Sequence, residues 1–409
     1  MKKRSFIYAL GILLCYMQVG CLDDSYTGTV YVTETEEVGI LHEVRMTIGE
    51  TKELKSERET KGSGIIGSVS DLAGKDFYVY AFNKESHTDY RTLNVEDSLR
   101  CLIDYTHDDP RSLMGKKAHW NPNTETVEWS FEDSPIYYPM GPNQGQDYDF
   151  FAYYLDNIVP ENEDIERNET NIIINVEIDG SQDLMSAKAK PTAAQLEQIK
   201  DERERLYQKE HCYSYYTASH NLNPNFDFIH HLTKLDFKLV PGGTPGLTKD
   251  VIVKKIEVLS KCKAAFTVAD KYDENKLGLE FEDEKKRMEL KEPDGGDFIP
   301  RLIKTVDKVG QGEDGIIDDL GSLMVAPDEE YYLYIVLGEK LGDIDIDDNE
   351  NEIHVYQGLP NKKMMFSAGY EYVITLTIYG QMDIRVDADI NIWDEGGYDM
   401  PSTEIIPGQ

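Results

Sequence analysis

His230-His231, the acidic run Asp343-Ile344-Asp345-Ile346-Asp347-Asp348-Asn349-Glu350 and the glycine-rich Gly62-Ser63-Gly64-Ile65-Ile66-Gly67 hold residue types that could do chemistry. Each meets a physical objection. Neighbouring side chains on a strand point to opposite faces, so His230 and His231 cannot close on one metal. The acidic run has the Asp spacing that opens a calcium loop. Asp348, however, stands where the sharp-turn glycine belongs, and His354 where the bidentate glutamate belongs. A hairpin with acid on its solvent face is expected there instead. The glycine-rich stretch has no Lys-Ser/Thr behind it and opens no helix, so it reads as a loop and not a phosphate cradle. With 9 His and 77 Asp plus Glu, chance pairings of catalytic-looking residues are expected. No catalytic residue, metal or cofactor is expected, and the chain reads as a non-enzyme.

Cys21 is a different matter. It follows Lys2-Lys3-Arg4, an apolar run from Phe6 to Met17, and the small residue Gly20. That is the layout of a secretory signal over residues 1–20, and the run falls short of the roughly 20 apolar residues of a membrane span. A cysteine directly behind the small residue resembles a bacterial lipoprotein signal, in which the thiol is acylated and becomes the first mature residue. Gln18 departs from the Leu usual three places before it. The alternative is an ordinary secreted chain with a chance cysteine. Leu22-Asp23-Asp24-Ser25 behind it resembles the acidic signal that sends lipoproteins to the outer cell face, or else is a solvated linker. The expected location is the outer membrane or cell surface, through a lipid anchor whose more than one acyl chain gives stable attachment.

At 409 residues the chain fits two domains. Its formal charge of −35 becomes three units more negative when Lys2, Lys3 and Arg4 are removed. Such a surface repels nucleic acid and anionic headgroups, and neither is expected as a partner. Apart from the signal and Cys21, the cysteines are Cys101, Cys212 and Cys262, an odd number without CxxC spacing. Buried reduced thiols are expected, with one disulfide as the alternative.

Short apolar or alternating runs recur between Gly, Pro, Asn and Asp breaks: Asp76–Phe82, Asp149–Tyr154, Asn171–Ile178, Lys234–Val240, Val251–Leu259, Tyr331–Leu337, Tyr370–Tyr379 and Ile384–Trp393. Their lengths and the rarity of helical stretches between them point to β-sandwiches. The expected fold class is all-β, with a short helical insertion. Thr192 and Gln195 stand in capping-box spacing, and residues 192–217 read as a solvated helical insertion because Asp201-Glu202-Arg203-Glu204-Arg205 is wholly charged. The expected division is an N-terminal domain over 21–188 and a C-terminal domain over 189–409.

Taken together and in order, several segments resemble the fimbrillin-like family of Bacteroidetes. They are Phe77-Tyr78-Val79-Tyr80-Ala81-Phe82, Ile136-Tyr137-Tyr138-Pro139 followed by Asp149-Phe150-Phe151-Ala152-Tyr153-Tyr154, and Gln182-Asp183-Leu184-Met185-Ser186-Ala187. Phe228-Ile229-His230-His231-Leu232-Thr233-Lys234-Leu235-Asp236-Phe237, Phe366-Ser367-Ala368-Gly369-Tyr370-Glu371-Tyr372 and Ile390-Asn391-Ile392-Trp393-Asp394-Glu395-Gly396-Gly397 complete the set. Tyr138 stands where the family usually has Trp, and Leu155 where it has Pro. His230 and Trp393 are expected to serve packing.

The resemblance implies two transthyretin-like β-sandwich domains and a role as a structural or accessory pilus subunit, with other pilus subunits as partners. It implies export as a lipoprotein and proteolytic removal of an N-terminal strand after an Arg. A strand from a neighbouring subunit then fills the exposed groove by β-augmentation. Here the removable strand would be Glu43-Val44-Arg45-Met46-Thr47-Ile48. The cut would fall at Arg58 in the charged Lys52–Lys61 loop, with Arg45 as the competing site. The tail after Trp393, broken by Pro401 and Pro407, makes a weak donor strand and favours a tip or accessory position. The alternative function is a lipid-anchored binding module for a glycan or host protein, with Trp120 and Trp129 as candidate stacking residues.

Overall fold

The computed structural model describes residues 41–49, 69–84, 88–91, 101–103, 113–130, 135–139, 146–242, 249–292, 295–304, 316–317, 320–341, 344–359 and 362–392. Cys21, Arg58, the glycine-rich loop, Trp393 and the tail behind it lie outside the described residues.

The strand Asp76–Asn83 is apolar at nearly every position because both its faces are covered. It pairs antiparallel with Tyr148–Tyr154 and with Lys116–Asn121 in the middle of a seven-stranded sheet. That sheet runs from Ile229–His230 through Met185–Lys188 at one side to Thr126–Trp129 at the other. Phe77, Val79 and Ala81 share one core with Phe150, Ala152 and Tyr154, while Tyr80, Phe82, Phe151 and Tyr153 join another. This is the period of two that a strand imposes, here with both registers filled by apolar side chains.

On the Tyr80–Tyr153 side lies a four-stranded sheet of Ile165–Arg167, Asn171–Glu177, Lys263–Asp270 and Gly278–Phe281. Phe266 meets Tyr153 edge to face with ring centroids 6.4 Å apart, an attractive aromatic geometry. The strand Asp250–Lys261 runs through buried Cys262 into Lys263–Asp270, so one length of chain serves two sheets. In its first part it pairs with Glu330–Leu341, which in turn pairs with Ile344–Leu359 in a six-stranded sheet. Thr233–Pro241 and Tyr370–Gly380 pair in parallel in the four-stranded sheet that also holds Asp383–Ile392. Leu235, Phe237, Ile374 and Leu376 share a core with Val253, Ile256, Leu333 and Ile335. The architecture is all-β, built of packed sheets with a small helical insertion.

From Ile344 onward the acidic run is strand and not calcium loop. Ile344–Leu359 pairs antiparallel with Glu330–Leu341, and Asp348, Glu350 and Glu352 point to solvent. Arg287 lies 3.5 Å over the Tyr334 ring and also donates to Glu350, which draws that acid onto the sheet surface.

The helical stretch departs from expectation in one respect. Its capping box forms, with Thr192 Oγ1 accepting from the Gln195 amide and Gln195 Oε1 from the Thr192 amide. The charged helix Glu202–Glu210 is solvated, as its composition dictates. The chain after it is not: Cys212, Tyr213, Thr217 and Leu222 are buried. Cys212, Tyr213 and Leu222 belong to the core on the outer face of the seven-stranded sheet, across the 188/189 division. The apolar residues sit in turns and in a second short helix, Tyr215–Ser219, where no helical stripe could announce them. The thiols of Cys212 and Cys262 are both free and buried.

Candidate functional site

The segment 43–48 is laid into the outer face of the seven-stranded sheet as a single extended length. Val44, Met46 and Ile48 alternate inward and are 5%, 1% and 6% exposed, whereas Arg45 points to solvent. Burying each such side chain is worth roughly 1.5–3 kcal/mol. The backbone is bonded on both sides. The Val44 amide donates to the Ile136 carbonyl at 2.8 Å, and the Tyr138 amide to the His42 carbonyl at 3.0 Å. Farther along, Val127 donates to the Met46 carbonyl at 2.9 Å. On the other flank Thr47–Ile48 pairs in parallel with Asn225–Phe226. There the Thr47 amide donates to Pro224 and the Gly49 amide to Phe226, while the Thr47 hydroxyl donates to Asn225 Oδ1 at 2.8 Å.

The groove under this strand is lined by Phe77, Val79, Phe150 and Phe226, with Phe228 against Phe77 at 5.5 Å between ring centroids. At its start, the His42 ring stands edge-on to Tyr215 at 4.8 Å. Lift the strand, and an apolar floor and a row of unpaired backbone groups on three segments would face water. What the arrangement can do is hold one extended strand by main-chain bonds and alternate side chains.

Of the sequence-derived sites, Arg45 lies within this paired strand, its guanidinium 3.4 Å from Glu43 and exposed. A protease needs an extended, free backbone, so Arg45 is guarded as long as the strand is seated. The flanking partners Ile136–Tyr138 and Asn225–Phe226 were not recognisable as such from sequence. Both are too short to carry a strand signature, and the second lies far away in sequence.

Trp120 is a correction to the sugar-stacking reading. It is 7% exposed and belongs to the core beneath the N-terminal strand, because its strand Lys116–Asn121 turns that side inward. Trp129 is half-buried with the Lys116 ammonium 5.1 Å from its ring centroid. His230 is a buried packing residue: its Nδ1 lies 2.9 Å from Asp183 Oδ1. His231, on the opposite face, sets Nε2 2.7 Å from Ser186 Oγ and stands edge-on to Phe266. Burial, aided by the neighbouring His230, holds His231 neutral with its pKa pulled down to about 3. The described residues contain no group of three or more His, Cys, Asp or Glu side chains placed to hold a metal ion.

No family model matches the chain, and neither does any curated protein. Among solved structures, a candidate cell adhesion protein from Bacteroides uniformis aligns with 86% of this chain and 98% of its own, at 15% identity and a TM-score of 0.43. A second such protein from Bacteroides ovatus aligns with 87% of this chain and 99% of its own, at 13% identity and a TM-score of 0.43. A fimbrial protein from Bacteroides vulgatus covers 86% and 99%, at 12% identity and a TM-score of 0.42.

Proposed function

We propose that this chain is a structural or accessory subunit of a cell-surface fimbria, of the fimbrillin-like kind, delivered as a lipoprotein through Cys21. Assembly begins when proteolysis at Arg58 frees the strand Glu43–Ile48, and a strand from a neighbouring subunit replaces it. The observation that carries this reading is the seating of Val44, Met46 and Ile48. Three alternate apolar side chains fill a groove whose two rims already bond an extended backbone. Any strand with the same alternation satisfies the same rims, which is the physical basis of exchange. The chain performs no catalysis in this role. Its partners are other subunits and the outer membrane, and the Pro-broken tail suits a tip or accessory place.

Limited trypsin digestion tests it. The expected outcome is a first cut near Arg58, none at Arg45 until the strand has left, and self-association of the cut protein while intact protein stays monomeric. The N-terminal residue of protein sheared from cells should match the trypsin product. A cut protein that remains a stable monomer, absent from every fimbrial fraction, would overturn strand exchange.

A further inference from the structure

Thr47 stands opposite Asn225 in the parallel pairing of Thr47–Ile48 with Asn225–Phe226, and its hydroxyl donates to Asn225 Oδ1 at 2.8 Å. Asn225 is 7% exposed, so this pair is shielded from bulk water. The rim that carries Asn225 is held by bonds outside the strand. The Lys190 amide donates to the Asn225 carbonyl at 3.0 Å. From the short helix Ala193–Glu197, Gln195 Nε2 donates to the Asn223 carbonyl at 3.1 Å. Gln195 is itself fixed by the capping box with Thr192. Asn225 therefore keeps these anchors when the strand Glu43–Ile48 leaves, while its side-chain oxygen loses the hydroxyl that now donates to it.

An apolar floor fixes register only in part. Val44, Met46 and Ile48 face inward, and a slip by one residue would turn Arg45 and Thr47 onto the floor. A slip by two keeps apolar side chains there, so only the other face of the strand can tell it apart. On that face it would bring Arg45 or Gly49 abreast of Asn225 in place of Thr47. Gly49 has no side chain to donate, and the donors of Arg45 stand at the end of a long one. A buried acceptor left without its donor is costly, so either slip is penalised at Asn225. We propose that Asn225 is the specificity-determining residue of the groove, selecting an occupying strand that carries Thr or Ser abreast of it between two inward apolar residues. The strand it fits has the order apolar, any, apolar, Thr or Ser, apolar, as in the resident Val44-Arg45-Met46-Thr47-Ile48. This deepens the strand-exchange reading and rests on it for the identity of the incoming strand. The selection itself is readable on the resident strand of the uncut chain.

The test is a double-mutant cycle of Thr47→Val with Asn225→Ala in the full-length protein. It is read by hydrogen exchange at the Thr47 and Gly49 amides, which bond the Asn225 rim. Valine matches threonine in shape and suits a strand as well, so a groove that read only its floor would hold both equally. Thr47→Val should speed hydrogen exchange at these two amides by roughly threefold to tenfold beside Asn225. Beside Asn225→Ala the same change should alter it by less than about twofold. Thr47→Ser, which keeps the hydroxyl, should keep its coupling to Asn225. Unchanged hydrogen exchange in Thr47→Val would overturn the proposal, and this criterion stands even if Asn225→Ala fails to fold. A Thr47→Val effect of equal size in both backgrounds would overturn it as well. These readouts do not require one strand to replace another. A failed trypsin experiment beside intact coupling would sink the fimbrial assembly reading and leave the selection standing for the resident strand.

Discussion

The carbonyl of Met46 accepts the amide of Val127 at 2.9 Å, and with this bond the outermost strand of the seven-stranded sheet, Thr126–Trp129, has a backbone partner. An edge strand left open is a template for pairing with another chain. Here the cover comes from a segment joined to the domain only through residues 50–68, the stretch that contains Arg58. In the proposed assembly, a cut in that stretch is the step that opens the edge.

Met46→Ala should destabilise the intact protein by about 2–5 kcal/mol, the cost of a large-to-small change in a core where the site cannot fully collapse. Arg45→Ala, one residue away and exposed, should change stability by less than about 0.5 kcal/mol. Urea unfolding of the two variants checks the pair. Equal effects would mean that the strand is not seated through alternate side chains.

Trp120→Ala should cost about 3–5 kcal/mol, because its side chain is buried in the core under the strand. Any loss of glycan retention by that variant should follow its unfolding curve and not precede it. A folded Trp120→Ala protein that has lost affinity for a glycan array would revive the binding-module alternative.

Cys21→Ser should abolish labelling by radioactive acyl precursors and shift the protein from the membrane to the soluble or precursor fraction. The motive is the apolar run ending at Gly20-Cys21. Label that persists on the variant would remove the anchor from the proposal.

Much of the fold is legible in the sequence, and for a physical reason. Runs such as Phe77–Phe82 and Phe150–Tyr154 are apolar at every step because they lie between two covered faces, and their length and breaks mark them as strands. The alternation at Val44, Met46 and Ile48 marks a half-buried strand equally well. What the sequence conceals is pairing between distant short segments. Thr47 meets Asn225 through a two-residue parallel bridge, and nothing local to either announces it. Burial of Cys212, Tyr213 and Leu222 is hidden likewise, because they follow a helix whose charge suggests solvent on all sides.

Two half-buried groups should pull the pH dependence of stability in opposite directions. His231 has its pKa lowered to about 3 by burial, so between that value and the ordinary 6.5 the unfolded chain binds a proton that the native chain refuses. Stability from this residue is therefore complete above pH 6.5 and drains away as pH falls towards 3. Asp236 behaves in the contrary sense. Burial raises its pKa above the ordinary 3.8, against the pull of the Lys234 ammonium and with the help of Glu371 beside it. The native chain then keeps a proton that the unfolded chain releases, and stability is lost as pH rises from about 3.8 through the raised value. His231→Gln, which keeps a nitrogen or oxygen for Ser186, should reduce the acid sensitivity. The stability difference between wild type and this variant should grow in favour of wild type from pH 3 to 6.5 and then level off. For Asp236→Asn the same difference should fall as pH rises. Thermal unfolding across this range for the three proteins checks both slopes at once. Parallel curves would mean that neither group is held away from its ordinary titration by the fold.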